Sequence, residues 1–301
     1  MTFCVSITTH NRIDDLRRTL ERLETLHPAA DEVIISCDNC TDGTQAFVRQ
    51  HYPQHELLEN PVPLGSIGSR DRINRAASAD IILSLDDDSY PVEADFFARL
   101  AELFTQFPEL GLVTFPQRTD EYPETLEQTD FGPSTYVGSY PNSGAAFRRN
   151  LYQQVPGYPV FFFHAYEEPD FALQLWHAGY TVVRYTGLTI RHHYTTVQRN
   201  ENRTHQRHAR NEALAVILRA PALMTLPLLV YRGLSQARYA LSRGVGWVVR
   251  EPQWWWAFLM ALPRAMRERD AMPRRSYIRW LRLLGNPLTA PEFDDKQSNN
   301  L

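Results

Sequence analysis

Short apolar runs alternate with helical patterns over the first two hundred residues, and this alternation constrains the fold more than any other feature. Strands are predicted at residues 3–9, 33–37 and 81–85, and leucines at helical spacing follow the first of them. Parallel strands that are joined by helices form a sheet covered by helices on both faces. The sequence therefore predicts an α/β fold with a mostly parallel sheet.

Polar clusters follow each of these three strands. They lie at residues 8–12, 38–42 and 86–88. Ligands of open α/β sheets bind beyond the carboxyl ends of the strands. We therefore expect the three clusters to meet at one edge of the sheet and to form a binding site there.

The acidic triplet Asp86-Asp87-Asp88 directly follows an apolar strand. Adjacent carboxylates repel one another and destabilise the fold unless a cation compensates them. Mg²⁺ and Mn²⁺ prefer oxygen ligands and can also bind diphosphate oxygens. A solvated acidic turn is the alternative, but the position at a strand end beside two other polar loops favours a metal site.

A second acidic cluster contains Glu167, Glu168 and Asp170 and follows an aromatic run at residues 161–163. Desolvation by such a run raises the pKa of a carboxyl group, which suits a general base that takes a proton from an acceptor hydroxyl. Acidic residues are also common in the first turn of a helix. Both interpretations can hold, for different members of the cluster.

Two adjacent histidines, His192 and His193, end the α/β region. Successive side chains of a strand point to opposite faces, so at most one of them is expected to face the site. A neutral imidazole can complete the coordination of a metal ion. A packing role in the core is an equal alternative at this point.

Taken in order, these motifs resemble the signatures of family 2 glycosyltransferases, which have the GT-A (Rossmann-like) fold. The resemblance covers about residues 3–200, and the motifs that carry it lie at residues 5–12, 38–44, 65–70, 86–88 and 167–170. It implies an inverting enzyme that uses Mn²⁺ or Mg²⁺. Such an enzyme moves a hexosyl or deoxyhexosyl group from a nucleotide-diphospho-sugar to an acceptor hydroxyl.

The resemblance also implies roles for individual residues. Glu168 matches the catalytic base, and its neighbours Glu167 and Asp170 could exchange this role with it. The metal ligands would be Asp86, Asp88 and one of His192 and His193. The donor-binding residues implied by the motifs are Thr8, Thr9, Arg12, Asp38, Asn39, Asp42, Arg70, Asp86 and Asp87.

This chain departs from the family pattern in the second acidic cluster. The family more often has Glu-Asp where this chain has Glu167-Glu168, and Pro169 lies within the motif. Both differences bear on which acid of this cluster is the catalytic base, and not on the type of reaction. The polar segment at residues 116–140 has no clear period, and we expect it to be a loop that influences acceptor choice.

The three cysteines, Cys4, Cys37 and Cys40, bear on the cellular compartment. Cys37 and Cys40 have C-x-x-C spacing, but no second pair follows at zinc-binding spacing, so a structural role is favoured. An odd number of cysteines argues against a secreted protein held by disulfides. With no secretory signal and no apolar stretch long enough to span a bilayer, we expect a cytoplasmic protein.

From residue 199 onward the character of the chain changes. Residues 199–301 carry 17 Lys+Arg and 8 Asp+Glu, against 14 and 27 in residues 1–198. Apolar helical stretches with Arg and Trp are typical of helices that lie on a membrane surface. We therefore predict a catalytic domain at 1–198 and a helical region at 199–301 that docks on the inner leaflet beside a lipid-linked acceptor. An ordinary helical subdomain is the alternative.

Similar tails occur in bacterial members of the family that make cell-surface polysaccharides, and this favours the membrane interpretation. Three other functions agree less well with the sequence than a glycosyltransferase does. A sugar nucleotidyltransferase usually has a Gly-rich loop after its first strand, and residues 8–12 contain no glycine. A nucleic-acid-binding module would carry a recognisable motif. An inactive scaffold that binds nucleotide-sugar or membrane is disfavoured by the intact acids.

Overall fold

The computed structural model describes residues 1–194 and 201–294. The strands there are β1 (Phe3–Thr9), β2 (Glu32–Asp38), β3 (Glu56–Asn60), β4 (Ile81–Asp86), β5 (Ser89–Pro91), β6 (Leu110–Thr114), β7 (Gln117–Thr119), β8 (Thr135–Tyr136), β9 (Ala145–Arg148), β10 (Thr181–Arg184), β11 (Ile190–His192) and β12 (Leu288–Thr289). The helices are α1 (Ile13–Leu23), α2 (Thr44–His51), α3 (Gly65–Ala76), α4 (Phe96–Gln106), α5 (Arg149–Gln154), α6 (Glu167–His177), α7 (Glu201–Arg219), α8 (Ala222–Arg243), α9 (Val245–Val248), α10 (Glu251–Arg267) and α11 (Arg274–Gly285).

The central sheet has nine strands in the order β12-β8-β10-β6-β9-β4-β1-β2-β3 among the described residues. Strand β1 pairs in parallel with β2 and β4, as the alternating pattern predicted. Buried apolar residues form clusters on both faces of the sheet, under the helices. The predicted fold class, an α/β sheet flanked by helices with a helical C-terminal region, is confirmed.

Strand β9 runs antiparallel to both of its neighbours, β4 and β6, so the sheet is mixed. Strand β6 ends at the carboxyl edge of the sheet, and the chain reaches β9 through residues 115–144 without another long helix to carry it back. It therefore re-enters the sheet from that edge and runs in the opposite direction. The sequence pattern did not predict this strand.

The two prolines and two glycines at residues 60–68 predict a loop, but helix α3 starts within this segment. The helix begins at Gly65, whose φ is +74°. A Cβ atom at this position would collide with the carbonyl oxygen and the ring of Phe163. Glycine is therefore required here because of both the left-handed backbone and the close approach of the loop that precedes α6.

A small second sheet, in the order β5-β11-β7, lies beside the acidic triplet. Strand β5 starts immediately after the triplet, and β11 pairs with it so that His192 lies opposite Ser89. On its other side β11 pairs in parallel with β7, and His192 lies opposite Thr119. This sheet brings a histidine distant in sequence to the end of β4.

The C-terminal helices pack on the α/β part of the chain. Arg219 of α7 donates to the carboxylate of Asp170 in α6 at 2.8 Å, and both side chains are buried. The indole of Trp280 donates to the Gly138 carbonyl at 2.7 Å. The predicted boundary between residues 198 and 199 lies outside the described residues. Within residues 1–194 and 201–294, none of the helices is long and apolar enough to cross a membrane.

The five tryptophans of the C-terminal region, which are predicted to be available for an interface, differ in exposure, and Trp247 is half-buried. Trp254 and Trp280 are buried, and the Trp254 indole donates to Glu251 at 2.7 Å. Trp255 and Trp256 are exposed. Only part of the predicted aromatic surface is therefore open.

The buried pair of Arg219 and Asp170 generates a prediction on stability. We expect Arg219→Met to lower the free energy of unfolding by about 3–5 kcal/mol, because it leaves the Asp170 carboxylate buried without its cation. Arg17, which lies 3.7 Å from the exposed Asp14, provides the matched control, and Arg17→Met should cost about 1 kcal/mol or less. Urea unfolding of the two variants measures this, and equal losses would contradict the prediction.

Candidate active site

The acidic triplet is compensated by arginines of this same chain. Arg12, which follows β1, donates to Asp87 at 2.8 Å and to Asp88 at 2.7 Å. Burial raises the pKa of Asp87 well above its ordinary value, although the charge of Arg12 opposes this. The cation predicted to offset the repulsion is therefore supplied in part by Arg12, one of the residues expected to bind the donor.

Asp86, Asp88 and His192 form a cluster in which one ligand atom of each lies within 4.8 Å of the others. His192 Nε2 lies 3.3 Å from Asp88 Oδ1, and its Nδ1 lies 3.1 Å from the Gln117 side-chain oxygen. Burial opposes ionisation of Asp88, but His192 and Arg12 outweigh it and lower the pKa of this carboxyl. Two carboxylates and an imidazole thus converge at the end of β4.

His193 does not join this cluster. Its ring shares a hydrogen bond of 2.9 Å with the Tyr90 hydroxyl and lies 3.6 Å from Asp120. Of the two histidines left open by the sequence, His192 is the one beside Asp88. His192 is the last residue of β11, and His193 lies just beyond the strand.

The polar residues at the ends of β1 and β2 lie at the same carboxyl edge. Asp38 is buried and accepts hydrogen bonds from the backbone N–H groups of Leu64 and Gly65 at 2.7 and 2.9 Å. Thr9 is buried, whereas Thr8 and Asn39 are half-buried. The Asp38 carboxylate therefore holds the turn into α3, which the sequence did not predict.

Asp42 stabilises the starts of two helices. Its carboxylate accepts from the Ile13 N–H at 3.0 Å and from the Thr44 N–H at 3.1 Å, at the beginnings of α1 and α2. Burial opposes its ionisation, but these hydrogen bonds outweigh it and lower the pKa of Asp42. Asp42 thus accepts from N–H groups that the first turn of a helix leaves without an intrahelical partner, although the N-cap residues themselves are Arg12 and Gly43. The three cysteines are buried and free.

Arg70 links the two acidic clusters. It is buried on α3, where its guanidinium contacts the Asp86 carboxylate and lies 3.7 Å from Glu167. Glu167 also accepts a hydrogen bond of 3.0 Å from the Asn142 side chain. A buried arginine between two carboxylates holds both at a defined separation.

Glu167 and Glu168 open α6, so the acidic cluster lies in the first helical turn. Glu168 is half-buried, and burial together with the adjacent charge of Glu167 raises its pKa well above the ordinary value. Asp170 points elsewhere, since its carboxylate is bound by Arg219 and by Gln174. The three acids of the motif are thus divided between a cavity and the packing of α6 on α7.

The loop before α6 is strained. Phe163, Ala165 and Tyr166 have positive φ angles of 68°, 72° and 75°. Such conformations are costly for residues other than glycine and persist only where surrounding contacts impose them. Asn211 of α7 supplies such contacts, because its side-chain amide donates to the carbonyls of His164 and Ala165, each at 2.8 Å. Sequence reasoning missed Asn211 and Asn142, which act through contacts distant in sequence.

A cavity of about 650 Å³ lies between these elements. It is lined by residues of both acidic clusters and also by residues of the C-terminal helices. The lining includes Arg70, Asp86, Tyr140, Tyr166, Glu167, Glu168, His208 and Glu212. The arrangement combines a potential cation site, a carboxyl of raised pKa and space for a ligand.

Comparison with solved structures identifies the fold. Residues 1–349 of TarS from S. aureus, in complex with UDP-GlcNAc, match with a TM-score of 0.62 at 14% identity, covering 92% of this chain and 83% of TarS 1–349. The mannosyltransferase PcManGT from Pyrobaculum calidifontis, in complex with GDP-Man and Mn²⁺, matches with a TM-score of 0.58 at 18% identity, covering 86% of this chain and 75% of its own. No curated protein shows significant sequence similarity to this chain.

The model of the family described as glycosyl transferase family 2 matches residues 4–168, which is more than half of the 301-residue chain. The match ends within the second acidic cluster and includes the triplet after β4. The resemblance first seen in the motifs is thereby confirmed, and the chain belongs to glycosyl transferase family 2.

Proposed function

We propose that this protein transfers a sugar from a nucleotide-diphospho-sugar to an acceptor hydroxyl with inversion at the anomeric carbon. The observation that carries the proposal is the pairing of Arg70 with both acidic clusters, which brings Asp86 and Glu168 to one cavity. The complexes of PcManGT with GDP-Man and of TarS with UDP-GlcNAc support a donor of this class.

Asp86, Asp88 and His192 fit a divalent cation, because their ligand atoms lie within 4.8 Å of one another. Carboxylate oxygens suit Mg²⁺ and Mn²⁺, and an imidazole suits the transition metal better. A cation bound there would neutralise charge on the departing diphosphate. Arg12 and Gln117 orient Asp88 and His192 for this role through their hydrogen bonds.

Glu168 is the proposed base. The acceptor oxygen attacks the anomeric carbon, the bond from that carbon to the diphosphate oxygen breaks, and Glu168 takes the hydroxyl proton. One displacement inverts the configuration. A raised pKa brings the carboxylate closer to working pH as a proton acceptor. We assign Glu167 to positioning, since Asn142 and Arg70 hold it, and Asp170 to helix packing.

The donor residues implied by the family are assigned in part. We propose that Thr8, Thr9 and Asn39 border the nucleotide, because they lie at the carboxyl edge of β1 and β2. We assign Asp38 and Asp42 to shaping this edge through the hydrogen bonds that each accepts from backbone N–H groups.

We further propose that the acceptor is lipid-linked, that the protein acts in cell-surface polysaccharide or glycolipid synthesis, and that the protein docks peripherally on the cytoplasmic face of the membrane. Large apolar side chains are exposed along α8 and α10, including Leu223 (92%), Leu226 (70%), Leu234 (67%), Trp256 (66%) and Met260 (66%). The two helices touch where a Cβ at Gly233 would lie 2.9 Å from the Trp255 ring. We call this surface the α8–α10 face.

The charge around the α8–α10 face supports a membrane. Arg238, Arg243 and Arg250 are exposed in the same part of the chain. Exposed apolar side chains beside arginines favour binding to an anionic bilayer.

Calorimetry tests the donor site. We expect one of UDP, dTDP and GDP to bind with Mn²⁺, and we expect Asp88→Asn to weaken that binding at least tenfold, because it removes a charged ligand of the cation. Asp14→Asn, which removes an exposed carboxylate, is the matched control and should leave binding unchanged. If no nucleotide binds with or without metal, the proposed function fails and a scaffold role replaces it.

Glu168→Gln tests the base. We expect sugar transfer to fall about 10²–10⁴-fold while nucleotide affinity is unchanged, because proton acceptance is lost and the cation site is not. In the wild type, transfer should rise with pH as Glu168 becomes ionised. Transfer that persists in Glu168→Gln would assign the base elsewhere.

The same variant should change stability in a pH-dependent way. The pKa of Glu168 is raised by folding, so the folded state binds its proton more tightly and loses stability as pH rises. Glu168→Gln should therefore raise Tm more at pH 8 than at pH 5. The exposed Glu24→Gln is the control, and equal Tm changes in the two variants would contradict this account.

Vesicle sedimentation tests the α8–α10 face. The wild type should bind phosphatidylglycerol vesicles in low salt more tightly than phosphatidylcholine vesicles, and Leu226→Ser with Met260→Ser should lose most of that binding. Leu288→Ser, which changes an apolar residue of β12 that is 60% exposed, is the matched control. Tighter binding to an oligonucleotide than to anionic vesicles would favour a nucleic-acid partner instead.

A further inference from the structure

Helix α7, the first helix of the C-terminal region, contributes directly to the cavity that contains Glu168. His208 and Glu212, one helical turn apart on α7, are among its lining residues. His208 is exposed, and its ring meets that of Tyr166 edge-on at 5.2 Å. The cavity therefore has a wall that lies outside the segment matched by the family model, residues 4–168.

Glu212 is held in place from α8. One carboxylate oxygen lies 2.9 Å from the Arg232 guanidinium, and the other accepts a hydrogen bond of 2.7 Å from the Gln236 side chain. Each carboxylate oxygen can accept more than one hydrogen bond. Glu212 can therefore bind a ligand hydroxyl without giving up either contact.

The charge of the cavity limits what it can hold. Four carboxylates line it, those of Asp86, Glu167, Glu168 and Glu212. The arginines that contact these carboxylates are already paired with them. Arg70 pairs with Asp86 and Glu167, and Arg232 pairs with Glu212. A carboxylate or phosphate entering beside Glu212 would be repelled, whereas hydroxyl groups can donate to the carboxylates.

We infer that His208 and Glu212 form the acceptor subsite, and that the group that enters it is an uncharged, hydroxyl-rich ring such as a glycosyl unit. The inference rests on the proposed function, since it takes Glu168 as the base for an acceptor hydroxyl. The neutral imidazole of a histidine can both donate and accept, which matches a pair of neighbouring hydroxyls. Any charged part of the acceptor would remain outside the cavity.

Saturation-transfer NMR with small glycosides tests this inference. The probes are the methyl β-glycosides of glucose, galactose and N-acetylglucosamine and the α-mannoside, with methyl β-glucuronide as the anionic counterpart of the glucoside. At least one neutral probe should bind, and the glucuronide should bind at least tenfold more weakly than the glucoside. Equal binding of glucuronide and glucoside, or no binding of any neutral probe, would overturn the inference.

Glu212→Gln should weaken the neutral probe about tenfold, because it replaces a charged acceptor with a neutral amide, and should reduce the discrimination against glucuronide. His208→Gln changes an exposed side chain and provides a second variant that does not disturb the Arg232 pair. Glu268→Gln removes a carboxylate of the same C-terminal region outside the cavity and is the matched control. Variants that bind all probes like the wild type would overturn the inference.

Nucleotide titration of the same proteins separates this inference from the proposed function. Glu212→Gln and His208→Gln should bind nucleotide and Mn²⁺ as the wild type does. If the wild type binds no nucleotide, the proposed function fails. If it binds nucleotide but the glycoside results are negative, only the acceptor subsite fails.

Discussion

The pairing of two arginines with three adjacent carboxylates is the interaction on which the rest of the site depends. Arg12 binds Asp87 and Asp88, and Arg70 contacts Asp86. Without these cations the turn after β4 would carry three repelling charges at a sheet edge. Because Arg70 also reaches Glu167, the compensation of the first acidic cluster sets the position of the second. The same arginine contacts therefore balance the charges and fix the geometry of the cavity.

The parts of the fold that depend on local pattern could be predicted from the sequence. Strands β1, β2 and β4 are apolar runs, and the side chains that follow them meet at one edge as strand direction requires. The directions of the strands were less predictable. Strand β9 is antiparallel because of where the chain re-enters the sheet, which no residue of β9 encodes locally. Gly65 was assigned to a loop because its close contact with Phe163 joins segments about a hundred residues apart.

The residues of the site also divide into those that local pattern identifies and those that only tertiary contacts identify. Asp86, Asp88 and Glu168 could be singled out because each follows a recognisable element. The choice between His192 and His193 needed the pairing of β11 with β5, which is a tertiary fact. Asn211 gave no signal at all, since a single asparagine in a helix becomes meaningful only when strained carbonyls lie against it. Local pattern thus predicts the candidate acids better than the residues that hold them in place.

Helix α8 has two faces with different contacts. One carries Arg232 and Gln236 against Glu212, and the other exposes leucines such as Leu226 and Leu234 to the surroundings. Binding of the outer face to a membrane, as we propose, would restrict the motion of the whole helix. Once its outer face is immobilised, the side chains on its inner face sample fewer conformations, and a ligand that needs them ordered meets a smaller entropic cost. An enzyme built this way would work faster at an interface than in bulk solution without any change of shape.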